Sequence, residues 1–204
     1  MQALDTKVEE VSFSPLLRTY TLEELWALPE PPDRAHYELI GGLLFMVPPP
    51  EDLHDYIDAH LTKSLAKFLL AQDIKGDILH PRASIYSDAG AGTYLEPDMM
   101  YVSRELRQRL GRKRKSADIV FEYLSRSNKV YDRTTKADTY LALGVRELWL
   151  IDHFDRTIEV RYATADKDKP TWDAWLFTKG DWAESRVLPG WRVSVDELFA
   201  DLSL

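Results

Sequence analysis

The first residue of this sequence that could carry chemistry is an acid inside an apolar segment. Glu122 interrupts the β-rich run Asp118–Leu124, where strand alternation places it on the same face as Val120 and Leu124. An ionised carboxylate buried without a partner would cost several kcal/mol. Burial of Glu122 therefore requires a salt bridge, such as one with a structural arginine, a proton or a bound cation. The residues alone leave these three solutions open.

A second acid, Asp98, lies on the predicted strand that precedes Glu122 along the chain. Carboxylates on neighbouring strands can point into one cleft, and two of them with a backbone carbonyl suit a hard ion such as Mg²⁺. The chain has no cysteine, which excludes thiolate metal sites and a cysteine nucleophile. The alternative is that Pro97-Asp98 only begins a strand or a turn.

A lysine follows these acids on the next predicted helix. Lys136 and Tyr140 are one helical turn apart and so share a helix face. On the side that faces the sheet, Lys136 could orient an attacking water or stabilise the charge that builds on a phosphate. The alternative is a surface lysine whose ammonium extends to solvent.

The elements that must position these residues follow from apolar periodicity and from turn signals. Helices are predicted over 22–28, where Thr21 and Glu24 form a capping box, over 52–70, over 133–143 and after a cap at Ser194. Strands are predicted at 37–40, 43–47, 78–86, 94–102, 118–124, 147–152 and 158–162, and short ones near Trp175 and Val187. This order predicts an α/β or α+β class with a mixed central sheet. Residues 1–18 are predicted to be an arm, and 19–204 a single domain.

The composition indicates a globular protein of ordinary type. Of 204 residues, 45% are hydrophobic and 29% charged, which excludes a wholly disordered chain. We expect a cytoplasmic protein that contacts no membrane, because neither a signal peptide nor a long apolar run is present. The net charge is −8, yet the segment Arg104–Arg146 carries an excess of positive charge. Within it, Arg112, Lys113, Arg114 and Lys115 could contact a nucleic-acid backbone or form a solvated loop.

Several motifs together resemble the Uma-two family, whose members are assigned as endonucleases related to PD-(D/E)XK restriction enzymes. The matching motifs are Tyr37–Gly42, Pro48–Pro50 with His54, Glu96–Asp98, Val120–Ser125, Tyr131–Arg133 with Lys136 and Tyr140, Gly144–Val145 and Leu148–Asp152. Each motif is weak alone, but their order is specific. The resemblance spans about residues 20–162.

This resemblance implies a restriction-endonuclease-like fold, a mixed sheet flanked by helices, here with extra C-terminal strands and a helix. It also implies hydrolysis of DNA phosphodiester bonds with Mg²⁺ or Mn²⁺, held by Asp98, Glu122 and the carbonyl of Tyr123. The lysine that usually stands two residues after the acid is absent, because that position is Leu124. In this family the lysine lies on the following helix, where Lys136 matches.

Two further residues match family positions near the same cleft. Glu38 would hold a second ion through water or tune the first one. His54 would be catalytic, or else a helix-cap or core histidine.

The sequence leaves three functions open. The first is a metal-dependent endonuclease acting on DNA, and the second is a catalytically inactive nuclease-fold module that binds as a homodimer or larger homo-oligomer. The third is a glycosidase with a carboxylate pair, which leaves Lys136 without a role.

The tryptophans of the last third would pack in the core, cover a sheet edge or form a subunit interface; these are Trp172, Trp175, Trp182 and Trp191.

Overall fold

The fold is built on a six-stranded mixed sheet. The computed structural model describes residues 18–31, 35–90, 92–126, 129–166 and 168–200. The strands are β1 (His36–Ile40), β2 (Leu43–Val47), β3 (Gly76–Leu79), β4 (Ile85–Ser87), β5 (Thr93–Leu95), β6 (Met99–Ser103), β7 (Ile119–Tyr123), β8 (Glu147–Asp152), β9 (Thr157–Ala163), β10 (Trp172–Phe177), β11 (Trp182–Glu184) and β12 (Arg192–Ser194). The helices are α1 (Leu22–Trp26), α2 (Asp52–Ala71), α3 (Arg104–Leu110), α4 (Lys129–Tyr131), a π-helix (Asp132–Lys136), α5 (Ala137–Ala142) and α6 (Val195–Ala200). Apart from Arg18, the predicted arm lies outside the described residues.

The central sheet has the strand order β10-β9-β8-β7-β6-β3, in which β7 and β8 are parallel and the other pairs antiparallel. Strand β7 lies inside the sheet and is buried on both faces. Ile119, Phe121 and Tyr123 belong to one core, while Val120 and Leu124 belong to the other. The predicted class and the predicted division of this strand between two faces are confirmed.

The two faces of the sheet are covered by different helices. Helix α2 packs on the first face through Ile57, Leu61 and Leu65, which recur every four residues and are fully buried. The second face is covered by the segment that contains α5, with Ala137 and Tyr140 in the core. Burying each large apolar side chain contributes roughly 1.5–3 kcal/mol, so these helices are fixed to the sheet.

A smaller sheet with the strand order β2-β1-β5-β4 flanks the central one among the described residues. Its β1–β2 hairpin turns at Gly41 and Gly42, which both have positive φ (56° and 83°), as a two-residue turn of this type requires. The hairpin prediction is confirmed. This sheet carries Glu38 on β1 into the interior.

Two long predicted strands are wrong as continuous elements. Residues 78–86 separate into β3 and β4, and residues 94–102 into β5 and β6, so that each pair contributes to two different sheets. Pro81, followed by Arg82 at positive φ, ends the first strand, and Pro97 interrupts the second. Proline lacks the N–H that a continuing strand ladder needs, which is the physical reason for both breaks.

The C-terminal third also departs from the predictions. Val187 lies in no strand but in the turn between β11 and β12, and helix α3 was not predicted. Core packing is confirmed for Trp191, which is 2% exposed, whereas Trp175 and Trp182 are exposed.

None of the helices in the described part of the chain has the length and apolar character required to cross a membrane. The prediction of a single domain over 19–204 stays a prediction.

Candidate active site

The register of the central sheet brings two acids together. Met99 of β6 pairs with Phe121 of β7, and one further step of this antiparallel register sets Asp98 opposite Glu122. The backbone N–H of Tyr123 donates to Oδ2 of Asp98 at 2.7 Å, which holds that carboxylate at the strand end. The sequence prediction that these two acids share a cleft is confirmed by their common lining of one cavity.

A π-helix brings the lysine to these acids. The segment from Lys129 to Ala142 is α-helical at both ends, but its middle, Asp132–Lys136, is a π-helix. A π-helix is rare in proteins, and those that are found lie frequently at functional sites. Asp132 and Lys136 are both buried on its inner side, and Tyr140 follows them in the core. The prediction that Lys136 and Tyr140 face the sheet is confirmed.

The ammonium of Lys136 is surrounded by carboxylates. Its Nζ lies 2.9 Å from Oε1 of Glu122, 3.2 Å from Oε1 of Glu38 and 3.7 Å from Oδ1 of Asp132. The hydroxyl of Tyr140 also donates to Oε1 of Glu122. Of the solutions left open for Glu122, a salt bridge is therefore present, made with lysine rather than arginine.

Glu38 is held on both of its oxygens. Oε1 accepts the backbone N–H of Glu96 at 3.0 Å, and Oε2 accepts the hydroxyl of Tyr131 at 3.1 Å. The side chain is fully buried and does not line the cavity that contains Asp98. Its position links the smaller sheet to the central one through Lys136.

The cluster holds more negative than positive charge. Glu38, Asp98, Glu122 and Asp132 surround one ammonium, and full ionisation would leave an excess of three negative charges. Burial raises the pKa of Asp98 to about 7 and that of Asp132 to about 6. Burial also raises the pKa of Glu122 well above its usual range, against the attraction of Lys136.

The pKa values of the remaining two groups, Glu38 and Lys136, shift in the directions that keep both groups charged. Burial acts to raise the pKa of Glu38, but Lys136 and hydrogen bonds to the carboxylate outweigh it, so that the pKa is lowered. Burial acts to lower the pKa of Lys136, and the carboxylates of Glu122 and Glu38 outweigh it, so that this pKa is raised. Lys136 is therefore a permanent cation here, and the charge of the cluster is adjusted on Asp98, Glu122 and Asp132.

The cleft above the cluster is small. Its volume is about 40 Å³, and its walls include Asp98, Glu122, Asp132 and Lys136, together with the loop Pro48–Pro50. At roughly 10–15 Å³ for each enclosed water, it has room for an ion with a few waters.

His54 lines the same cleft from the other side of the sheet, because it lies on α2. Its ring packs edge-on against Tyr123, with ring centroids 5.7 Å apart. Burial, followed by the neighbouring His153, lowers the pKa of His54 to about 4, so the ring is neutral at pH 7. His54 is thus near the carboxylates without being part of their network in the described residues.

The basic segment does not join this cleft. None of Arg112, Lys113, Arg114 and Lys115 is among the described residues that line it. Lys113 and Lys115 pair with Asp88 at 2.8 and 3.2 Å, which partly neutralises the segment. Its role in binding nucleic acid stays a prediction.

Sequence reasoning missed Asp132 as a site residue. It precedes Lys136 by one turn, and this spacing indicates a shared helix face. The burial of both side chains becomes visible only in the structure, where they lie on the π-helix. Tyr131, which donates to Glu38, was quoted in a motif without a role.

A protein-family model settles the relationship of the chain. The model of the Uma2 family, described as "Putative restriction endonuclease", matches residues 22–204. The chain belongs to this family. The resemblance seen in the motifs is confirmed, and the match extends beyond them through the C-terminal strands and helix. No curated protein matches the chain.

A solved structure has the same fold. It is described as "a putative nuclease belonging to DUF820" from Anabaena variabilis ATCC 29413. The two share 20% sequence identity, with a TM-score of 0.69 over 88% of this chain and 97% of that one. At this identity the likeness shows the fold, and the predicted restriction-endonuclease-like fold is confirmed.

The charge excess predicts that removing one acid stabilises the metal-free protein. Because folding raises the pKa of Asp98 from 3.8 to about 7, the folded state binds more protons between these values, and stability falls as pH rises through them. We expect Asp98→Asn to raise the free energy of unfolding at pH 8, on the order of 1–3 kcal/mol, with little effect at pH 4. An asparagine oxygen can still accept the Tyr123 N–H.

Urea denaturation in the presence of a chelator, at both pH values, measures this effect. Asp168→Asn is the control, because Asp168 is exposed in the β9–β10 loop. An equal change at both pH values, or destabilisation at pH 8, would contradict the electrostatic account.

Proposed function

We propose that this protein is a divalent-metal-dependent endonuclease that hydrolyses phosphodiester bonds in DNA. The observation that carries the proposal is the excess of buried carboxylates over Lys136 at a cleft between β6 and β7. Such an excess is costly unless protons or a cation compensate it. Membership in a restriction-endonuclease family supports phosphodiester hydrolysis as the chemistry.

The donors at this cleft fit a hard divalent cation. Asp98 and Glu122 offer carboxylate oxygens, and the carbonyl of Tyr123 would complete a set of oxygens that suits Mg²⁺ or Mn²⁺. Burial raises the pKa of both acids, and the attraction of Lys136 does not offset it. When bound, such an ion lowers the pKa of a water and stabilises charge on the scissile phosphate.

Lys136 would act as a fixed positive charge and hydrogen-bond donor. Its raised pKa excludes a role as general base at neutral pH. Its Nζ lies 2.9 Å from Glu122 and 3.2 Å from Glu38, whereas its contact with Asp132 is longer, at 3.7 Å. The ammonium would orient an attacking water or contact a phosphate oxygen in place of this longest contact.

Glu38 would serve to position Lys136. Both of its oxygens already accept hydrogen bonds, and it is buried behind the cavity wall. Of the two roles that the family resemblance implied, tuning the site therefore fits better than holding a second ion through water.

A homodimer, or a larger homo-oligomer, stays a prediction, as does binding of DNA by the basic segment. A catalytically inactive binding module is the outcome to be expected if the carboxylate cluster only stabilises the fold. The following experiments separate these cases.

Removing a proposed metal ligand should weaken metal binding. Glu122→Gln keeps the size of the side chain and a hydrogen-bond acceptor but loses the charge, so we expect at least a tenfold loss of Mg²⁺ or Mn²⁺ affinity by calorimetry. In the parent, affinity should rise with pH through about 7, because the ion displaces a proton from Asp98.

Glu105→Gln is the matched control, since Glu105 is exposed on α3. If Glu122→Gln bound the ion as tightly as the parent, the site assignment would be wrong.

Replacing the lysine should separate rate from binding. We expect Lys136→Met to retain metal and DNA binding while lowering the cleavage rate by about a hundredfold, comparable to the loss of one electrostatic stabiliser. Lys67→Met, at an exposed position of α2, is the control. Thermal denaturation measures whether both variants are folded at the assay temperature.

Cleavage is measured on supercoiled and single-stranded DNA with Mg²⁺ and with Mn²⁺. If the parent and Lys136→Met cut equally fast, the role of the lysine is wrong. If the folded parent cuts no substrate with either ion, the inactive binding module is favoured.

The basic segment can be tested through the salt dependence of DNA binding. Lys113 and Lys115 already pair with Asp88, and Arg112 has no ion-pair partner among the described residues. The test replaces Arg112, Lys113, Arg114 and Lys115 with Gln. Four free cations in contact with phosphates would each contribute roughly 0.9 to the slope of log affinity against log salt. Because two of the four are paired, we expect a smaller reduction of the slope than four such contacts would give. Metal binding should not change. Lys63→Gln with Lys67→Gln on α2 is the control, and an unchanged slope would identify a solvated loop.

A further inference from the structure

Two buried histidines, one of which lines the cleft of the carboxylate cluster, have no hydrogen-bond partners among the described residues. His54 and His153 are 6% and 9% exposed, and neither ring nitrogen of either residue has a hydrogen-bond partner among the described residues. A buried polar group left unsatisfied costs about 1–3 kcal/mol. Core packing alone does not explain two such rings in one place.

A carboxylate completes this group. Oε2 of Glu51 lies 3.2 Å from Nε2 of His153, within ion-pair distance but without the geometry of a hydrogen bond. Glu51 is the N-cap of α2, yet its side chain makes no capping hydrogen bond in the described structure, so its oxygens are available to another partner. One donor atom from each of Glu51, His54 and His153 lies within 4.8 Å of the other two.

These distances suit a single metal ion after a small adjustment. Ligands about 2.0–2.1 Å from a tetrahedral zinc are roughly 3.3 Å apart, so side-chain shifts of about 1 Å would bring the three donors into range. Glu51 can move, because 42% of its side chain is exposed. The two rings are held by aromatic contacts, His54 against Tyr123 and His153 against Phe154.

The donor types distinguish this group from the carboxylate cluster. Two imidazoles and one carboxylate are typical ligands of zinc and related transition metals, whereas magnesium prefers oxygen ligands alone. The rings also come from separate elements: His54 from α2 and His153 from the residue after β8. The second group includes none of the proposed metal ligands of the cluster, which are Asp98, Glu122 and the carbonyl of Tyr123.

We propose that Glu51, His54 and His153 form a second metal site that takes a zinc-like divalent ion. Three protein ligands leave one coordination position open. Because His54 also lines the cleft of Asp98 and Glu122, that position would be reached from the cleft. The proposal does not depend on nuclease activity, since either one can fail while the other holds.

Zinc binding to the chelator-treated and dialysed full chain tests the proposal. Titrations are made by calorimetry in excess Mg²⁺, which would compete for the carboxylate cluster. We expect one Zn²⁺ per chain in the parent, at least tenfold weaker binding in Glu51→Gln and in His54→Phe, and a higher melting temperature with Zn²⁺ in the parent alone. Glu51 is half-buried and makes no capping hydrogen bond, so Glu51→Gln should keep the fold. His54→Phe should retain the ring contact with Tyr123.

His60→Gln is the matched control, because His60 lies on α2 outside the group. Co²⁺ in place of Zn²⁺ should give the visible absorption of a nitrogen-ligated ion in the parent and lose it in His54→Phe. Glu122→Gln should bind Zn²⁺ like the parent. Absence of binding in the parent, equal binding in Glu51→Gln and His54→Phe, or loss in Glu122→Gln alone would overturn the proposal.

Discussion

The burial of one ammonium among carboxylates is the interaction on which the rest of the site depends. Lys136 joins the smaller sheet through Glu38, the central sheet through Glu122 and its own π-helix through Asp132. Removing the ammonium from this network would be strongly destabilising, on the order of 3–5 kcal/mol, because it would leave the carboxylates without a counter-charge. The same contacts that hold these three elements together therefore also fix the only positive charge of the described cluster over its cleft.

The lysine of this site lies on the helix that covers the sheet, and not two residues after Glu122 on the strand. Leu124, two residues after Glu122, lies in the apolar core, so the strand supplies no cation at that position. The helix supplies it instead, and the π-helix brings Asp132 and Lys136 into the interior together. The charge thus approaches Glu122 from the covering helix rather than along the strand, while the acids stay at the sheet.

The local parts of this site could be predicted from sequence, and the non-local parts could not. An acid in an apolar strand, as at Glu122, is visible in any strand pattern, and the spacing of Lys136 and Tyr140 indicates one helix face. Asp132 precedes Lys136 by the same four residues that separate Lys136 from Tyr140, but this spacing alone does not show that Asp132 is buried, and no sequence pattern predicts the π-helix. The strand breaks at Pro81 and Pro97 were readable but were outweighed by the apolar runs around them. Glu51 and His153 are about a hundred residues apart in sequence and meet where the N-terminal end of α2 lies beside the residue that follows β8.

The carboxylate cluster and the group of Glu51, His54 and His153 differ in what compensates the cost of their burial when no metal is bound. In the carboxylate cluster protons can compensate the excess charge, since Asp98 titrates near pH 7 and Asp132 near pH 6. A hard cation there competes with protons, so its affinity and the stability of the metal-free fold change with pH in opposite directions. His54, with its pKa lowered to about 4, stays neutral over the same range. Its burial cost is a matter of missing hydrogen bonds rather than of charge, and a ligated ion would remove that cost with far less dependence on pH.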